Sequence, residues 1–447
     1  MPTDTQPSLL HGLSLPLPLH SIPIVVVVVV VVVLVVLVLI PLFLHHLQRH
    51  PIPSPAKPNK NKNNKPPTTN PDTTNPDTTT PTPAPAPCTP NPLAAPPDAW
   101  YRDRSLLARD KTYTPTMALR RCPPDDWLRI DANYPARIAH KRNVLRRHGW
   151  DPKGGAMAWS CRLSGVQAPE EEEEEEEDLR VQGAVVELLG VLVGYLVGRF
   201  PTVWVGEGEG EGGGRVRWLR SLVTGERFEV VEPWGGLSPL EVVARVTEED
   251  LAVLLPGRGE GEGDEDEDEY VLMAAVSAFP AGFDIQEKMG RPLTAIHEPV
   301  PMYKEKLRKA MNRFFKKMTA DRLVMRVNWG INEREELFFL DGTHLYEGDE
   351  ASSDENIDIN QVQLRVERQV LRRLPRSGAI CMLTKTYLYR LVDIAEEPGV
   401  AERLSGMLHK LPEKFAFYKR KPVWGKVVLA YLDEMAAKYP DLAANDE

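Results

Sequence analysis

The sequence predicts an α+β domain, an antiparallel sheet with flanking helices, preceded by one transmembrane helix and a disordered spacer. Three observations lead to this prediction. They are an uncharged apolar run near the N terminus, a polar, proline-rich stretch after it, and mixed strand-like and helix-like periodicity beyond about residue 100. The expected organisation is an N-terminal tail (1–21), an anchor (22–44), a spacer (45–97) and one domain (98–447) with disordered acidic inserts at 168–179 and 257–269.

The anchor, residues 22–44, consists almost entirely of Val, Leu and Ile and carries no charge. Such a segment can span about 30 Å of hydrocarbon as a tilted helix, which places the lipid bilayer among the expected partners. A cleaved signal peptide is the alternative, but its apolar core is usually ~7–15 residues and ends at a cleavage site with small residues. Here the run is longer, and Pro41, Phe43 and two histidines follow it.

Lysine and arginine counts on the two sides of the anchor predict its orientation. Residues 1–21 contain neither, whereas residues 45–65 contain five. The positive-inside rule therefore predicts a single-pass membrane protein whose folded domain faces the cytosol. The spacer, rich in Pro, Thr, Asn and Lys, cannot bury a core and is expected to be extended.

The net charge of −10 conceals a basic body. Twenty acidic residues lie in three tracts within 170–178, 207–211 and 260–269, and without them the balance would be +10. A basic body suits an acidic partner, a phospholipid surface or an anionic cofactor, whereas no recognised nucleic-acid motif is present. The four cysteines are widely spaced, which argues against a zinc ribbon, an iron–sulfur cluster or a disulfide framework.

Within the domain, periodicity predicts helices and strands in alternation. Segment 181–197 is apolar at helical spacing, and the charge at Glu187 favours a buried helix over a second membrane span. The other predicted helices are 137–147, 240–255, 302–318, 364–374, 400–411 and 423–439. The predicted strands are 201–205, 215–223, 227–231, 321–329, 337–340 and 379–389.

Two sequence motifs are attributed to low complexity. Gly208-Glu-Gly-Glu-Gly-Gly213 has the letters of a dinucleotide-binding loop, but a strand rather than the required helix is predicted to follow it. The run 264–269 contains Asp-x-Asp pairs of the metal-binding type, but such charge runs are typical of a solvated loop.

His297 is the histidine with a distinctive setting, Arg291-Pro-Leu-Thr-Ala-Ile-His-Glu-Pro-Val-Pro301. The prolines after it restrict the backbone and delay the next helix until about Met302. A neutral imidazole on a rigid segment can serve as an axial ligand of haem iron. The alternative interpretation is a histidine in the core that is hydrogen-bonded to a backbone carbonyl.

The run 364–374 is rich in arginine. If it is helical, Arg365, Arg368 and Arg372 share one face, where guanidinium groups could hold carboxylates. A surface helix with intrahelical ion pairs is the alternative. Arg326, beside Asn328, is a second candidate for a buried cation.

At these residues the chain resembles the haem-dependent oxidative N-demethylases, which include the large subunits of bacterial dimethylamine monooxygenases and fungal members. The resemblance covers roughly residues 113–436. Its most specific blocks are His297-Glu-Pro-Val-Pro301 and Arg365-Val-Glu-Arg-Gln369, supported by Arg326-Val-Asn-Trp329.

The resemblance implies a PAS-like fold that binds one haem b and oxidises an N-methyl group of a small amine with dioxygen. By the same resemblance, His297 is the expected axial ligand of the haem iron, and Arg326, Arg365 and Arg368 are expected to hold propionates or order the pocket. Because no flavin, NAD or iron–sulfur motif is found, a reductase is expected to supply the electrons.

A haem-binding sensor or carrier on the same fold remains an alternative. A lumenal glycosyltransferase, which has the layout of anchor, stem and domain, is a second alternative. That layout needs basic residues before the anchor, and residues 1–21 contain none.

Overall fold

The computed structural model describes residues 86–88, 91–103, 115–150, 156–159, 171–209, 216–232, 234, 236–257 and 269–441. The predicted anchor and most of the predicted spacer lie outside these residues, as do 210–213 of the glycine-rich motif and 258–268 of the second acidic insert.

The described residues form two antiparallel sheets and flanking helices, which confirms the predicted α+β class. The strands are β1 (Arg120–Arg121), β2 (Met157–Trp159), β3 (Trp204–Glu209), β4 (Val216–Ser221), β5 (Arg227–Glu229), β6 (Asp250–Pro256), β7 (Tyr270–Val276), β8 (Val324–Asn332), β9 (Gln363–Arg373) and β10 (Ile380–Arg390). The helices are α1 (Tyr134–His148), α2 (Glu171–Arg199), α3 (Pro239–Val246), α4 (Leu293–Ile296), α5 (Arg308–Lys317), α6 (Leu391–Ile394), α7 (Val400–His409), α8 (Glu413–Tyr418) and α9 (Lys421–Lys438).

The larger sheet has the strand order β1-β8-β9-β10-β6-β7-β2, with every pairing antiparallel. Strands β3, β4 and β5 form the smaller sheet. One face of the larger sheet packs on the main hydrophobic core, to which α2, α3, α7 and α9 contribute. A second apolar cluster lies where α5 and the segment around α4 pack on the opposite face.

Helix α2 confirms the prediction of a buried helix at 181–197. Its Val181, Val185 and Leu189 are fully buried, and its buried Glu187 carboxylate accepts the N–H groups of Arg376 and Ser377. Among the described residues, the stretch Glu176–Arg199 has the length and hydropathy needed to cross a membrane, yet 56% of its apolar window is buried inside the protein. The helix also differs from the prediction for the first acidic insert, because it already includes residues from Glu171 onward.

Two predicted helices are wrong in whole or in part. Segment 240–255 forms α3 and then the strand β6, because a turn at Thr247–Glu249 separates two apolar runs. A capping box begins α3, with the Ser238 and Glu241 side chains each bonded to the other's backbone. Segment 364–374 is not helical but forms β9. Segment 337–340 contributes a single bridge, between Phe339 and Ala281, instead of a predicted strand.

Candidate functional site

The two faces of β9 carry different chemistry, because side chains alternate across a strand. Glu367 is directly opposite Asn328 on β8, and Gln369 is opposite Arg326. Arg365 lies on the same side, opposite Gly330. The side chains of this sheet face, called the polar face below, are Arg326, Asn328, Arg365, Glu367 and Gln369.

Glu367 is the centre of this polar face. Its carboxylate accepts hydrogen bonds from Arg365 Nε at 3.0 Å, from Asn328 Nδ2 at 3.4 Å and from Gln369 Nε2 at 3.3 Å. Burial would raise the pKa of Glu367, but Arg365 and the hydrogen bond from Asn328 outweigh it and hold that pKa below its usual value. Glu367 is therefore ionised at neutral pH.

Arg365 is 2% exposed and is held from several sides. Besides Glu367, it donates from Nη2 to the carbonyl of Phe279 and, at 3.4 Å, to the hydroxyl of Thr386. Its Nη1 is buried and has no hydrogen-bond partner among the described residues. One donor of a fixed guanidinium is thus available to a ligand.

His297 terminates the short helix α4, and the next helical segment begins at Tyr303, close to the predicted Met302. Its Nδ1 lies 2.8 Å from the carbonyl oxygen of Leu293, one helical turn earlier. Because a carbonyl only accepts, this contact assigns the proton to Nδ1 and leaves the Nε2 lone pair unprotonated. Among the described residues, no hydrogen bond to Nε2 is formed.

The surroundings keep this imidazole neutral. Its ring stacks on Tyr303, with centroids 4.8 Å apart and planes 11° apart. Burial, helped by the positive charges of Lys288 and Arg326, lowers the pKa of His297 to about 4 against the opposing effect of the Leu293 hydrogen bond. The effect of Arg326 relates His297 to the polar face.

His344 is a second imidazole near the same residues. Its ring packs on Tyr418 at 4.4 Å, and its Nδ1 lies 3.1 Å from the Thr343 hydroxyl. Burial lowers its pKa to about 4, and the charges acting on it include Lys419, Glu367, Lys288 and Arg365. His344 was not predicted from the sequence, because neither its neighbours nor its spacing form a motif.

Lys419 adds another buried cation. Its Nζ donates to the carbonyl of Trp329 at 2.6 Å and lies over the indole ring at 4.5 Å. Burial lowers its pKa to about 8, against the attraction of Glu367. Lys288 influences both His297 and His344, and Arg326 influences both His297 and Lys419. The two histidines and these cations therefore act electrostatically on one another and on the polar face.

Arg368 is not part of this group. It lies on the opposite face of β9, 1% exposed, where it forms an ion pair with Asp126 at 3.2 Å and donates to the carbonyls of Asp126 and Trp127. Its guanidinium thus ties the segment before α1 to the sheet. The structure brings Arg326 and Arg365 to the face that includes the region near His297, and it places Arg368 in the core.

The second apolar cluster includes Leu371 of β9 and Leu293 of α4, so it lies on the same side of the sheet as the polar face. Partly accessible apolar side chains that pack against this cluster include Ala252, Phe283, Met289, Ile296 and Met382. Apolar walls with a few polar groups and an unprotonated imidazole nitrogen are suited to a flat, mainly apolar ligand with anionic substituents. No group of three or more His, Cys, Asp or Glu side chains arranged for a metal ion occurs within the described part of the chain.

Comparison with known protein families identifies a matching family. The family model described as haem-dependent oxidative N-demethylase, alpha subunit-like, matches residues 118–429, well over half of the 447 residues. The matched range includes both sheets, His297 and the whole polar face.

Proposed function

Because the chain belongs to the haem-dependent oxidative N-demethylase, alpha subunit-like family, we propose that it is a haem b monooxygenase that removes an N-methyl group from a small amine. The observation that carries the proposal is the tautomer of the neutral His297 ring, with its proton on Nδ1. Its Nδ1 is engaged by the Leu293 carbonyl, and its Nε2 lone pair is free to bind iron. Metal-bound histidines usually donate their other ring N–H in this way.

The polar face fits the remainder of a haem. Its propionates would find the unpartnered Nη1 of Arg365 and the charge of Arg326, and the macrocycle would lie against the apolar lining. On this view the sheet and α5 correspond to a PAS-like arrangement. When bound, the haem would supply the redox chemistry by which dioxygen oxidises the N-methyl group.

The protein's own residues would orient and protect this site. Tyr303 fixes the plane of the His297 ring, and the Leu293 carbonyl fixes its tautomer. Glu367 fixes Arg365, so that the guanidinium loses little freedom when an anion binds. Oxidative demethylation consumes electrons as well as dioxygen, so we further propose that a separate reductase supplies them.

We also propose that residues 22–44 anchor the protein in a membrane with its domain in the cytosol. The support is the uncharged apolar run and the lysine and arginine bias after it. Protease protection in sealed microsomes tests this orientation. We expect protease to digest the domain without added detergent. Full protection of the domain from protease would reject the cytosolic placement and would favour the lumenal glycosyltransferase hypothesis.

The first test of the haem proposal is an absorption spectrum of the full chain, purified in mild detergent after expression with a haem supply. A Soret band is expected for the unaltered protein. His297→Ala should weaken or shift the band, whereas His409→Ala, which alters a half-exposed histidine on α7, should leave it unchanged.

A third variant, His344→Ala, separates the two buried histidines. If it shifts the Soret band and His297→Ala does not, His344 is the ligand and the assignment of His297 is wrong. A folded protein without a Soret band would refute haem binding altogether. A Soret band without formaldehyde release from N-methylamines, in the presence of a reductase, would favour a haem sensor or carrier over an enzyme.

A further inference from the structure

A strip of positive charge runs along α5 and the turn before it. The exposed side chains are Lys304, Lys306, Lys309, Arg313 and Lys317, and Glu305 is the single acidic residue between positions 299 and 320. Within the described part of the chain, none of these five cations forms an ion pair. These five residues are called the cationic strip below.

The strip lies on the solvent side of an amphipathic helix. Lys309, Arg313 and Lys317 are each four residues apart and therefore share one face of α5. The other face is buried through Met311 and Phe315 in the second apolar cluster. Nothing in the fold requires five cations at this place, because their like charges repel one another.

The buried side of α5 leads directly to His297. Met311 Sδ lies 3.5 Å from the hydroxyl of Tyr303, and the Tyr303 ring stacks on the imidazole of His297 at 4.8 Å. A continuous series of contacts therefore joins the helix that carries the strip to the proposed iron ligand. A donor seated on this helix would be separated from the site by one helix and one aromatic ring.

We propose that the cationic strip is the docking surface for an acidic one-electron donor, a flavoprotein of the flavodoxin type, whose electrons enter past Met311 and Tyr303. This inference rests on the proposed function. One electron would leave the reduced flavin and one would be gained by the bound haem, with no bond formed or broken. Opposite charges on two partners accelerate encounter and orient it without requiring a large apolar interface.

A matched pair of variants tests the strip. Lys309→Glu/Arg313→Glu reverses two charges on α5, and Arg146→Glu/Arg147→Glu reverses two exposed charges at the end of α1. Both change the net charge by the same amount. Binding of oxidised flavodoxin to the full chain is measured by titration calorimetry, and haem reduction by photoreduced flavodoxin is measured by stopped flow, each from about 20 to 300 mM salt.

The unaltered protein is expected to bind flavodoxin and to be reduced more slowly as salt increases. The α5 variant should bind at least tenfold more weakly and be reduced roughly tenfold more slowly at low salt, and the α1 variant should stay within twofold of the unaltered protein. Equal losses in both variants would indicate a net-charge effect and refute a docking site on α5. A reduction rate that rises with salt would also refute it, because attraction between opposite charges weakens as salt increases.

The binding readout does not require haem, so it remains informative if no Soret band is found and the proposed function fails. Sedimentation with vesicles containing about 30% phosphatidylserine supplies the other comparison. If the α5 variant loses vesicle binding and keeps flavodoxin binding, the strip contacts anionic lipid and the donor proposal is wrong.

Discussion

Replacement of Arg368 by methionine separates a structural arginine from those that face the proposed haem site. The change removes an ion pair with Asp126 and hydrogen bonds to the carbonyls of Asp126 and Trp127. Loss of one partner of a buried pair typically costs about 3–5 kcal/mol, because the other charge is left uncompensated. Here Asp126 keeps its hydrogen bonds to Arg129, so the lower end, about 3 kcal/mol, is expected.

Two measurements on the full chain check this expectation. Urea unfolding followed by near-UV circular dichroism gives the free energy of unfolding, and haem titration under native conditions gives the affinity. Arg368→Met should lower the free energy of unfolding by about 3 kcal/mol and change the haem dissociation constant by less than about twofold. Arg326→Met, on the polar face, should instead weaken haem binding several-fold and change stability by about 1 kcal/mol or less.

The opposite pattern would refute the reasoning. If Arg368→Met weakened haem binding without loss of stability, the side of β9 assigned to Arg368 would not determine its role. Arg368 would then belong with Arg365 in the site, as the sequence-based hypothesis held.

Three smaller effects follow from buried polar groups and backbone geometry. Burial raises the pKa of Asp250 to about 6, so the folded state binds more protons than the unfolded state between about pH 4 and 6. The free energy of unfolding should therefore fall as pH rises through this window. Asp250→Asn should flatten that fall in urea titrations, and an unchanged dependence on pH would contradict the prediction. Gly282→Ala should lower the free energy of unfolding by about 2 kcal/mol or more, because φ is +75° and a Cβ would collide with Thr343. Gly290→Ala, at φ +68° in open space, should lower it by about 1 kcal/mol. Equal urea midpoints for the two variants would contradict the collision. Ser238→Ala removes the cap of α3 and should cost about 1 kcal/mol by thermal unfolding, and no change would mean that the capping box contributes nothing.

Local patterns predicted much of the fold. The basic helix α1, the buried helix α2 and the two C-terminal helices were found because their periodicity agrees with their packing. Strand β9 was missed because it lies inside the sheet and is buried on both faces, so it shows no alternation of polar and apolar residues. Its many charged residues resemble a surface helix, although most of them are buried.

That one error changed the interpretation of the arginines. Residues three apart share a face of a helix but lie on opposite faces of a strand. Arg365 and Arg368 were therefore grouped by sequence and are separated by structure. The motif around His297 did not depend on such an assignment, because its prolines restrict the backbone whatever element precedes them.

The remaining members of the site were beyond local prediction, because they come from separate segments. Lys288, His344 and Lys419 lie far apart in the chain, and only the fold brings their charges to bear on the same imidazoles and carboxylate. Burial lowers the pKa of Lys288 and of Lys419, so each of these cations loses solvation energy near the polar face. An anionic ligand at this face would offset that cost, so the electrostatics of the fold and the unprotonated Nε2 of His297 both favour a ligand that combines a metal with negative charge.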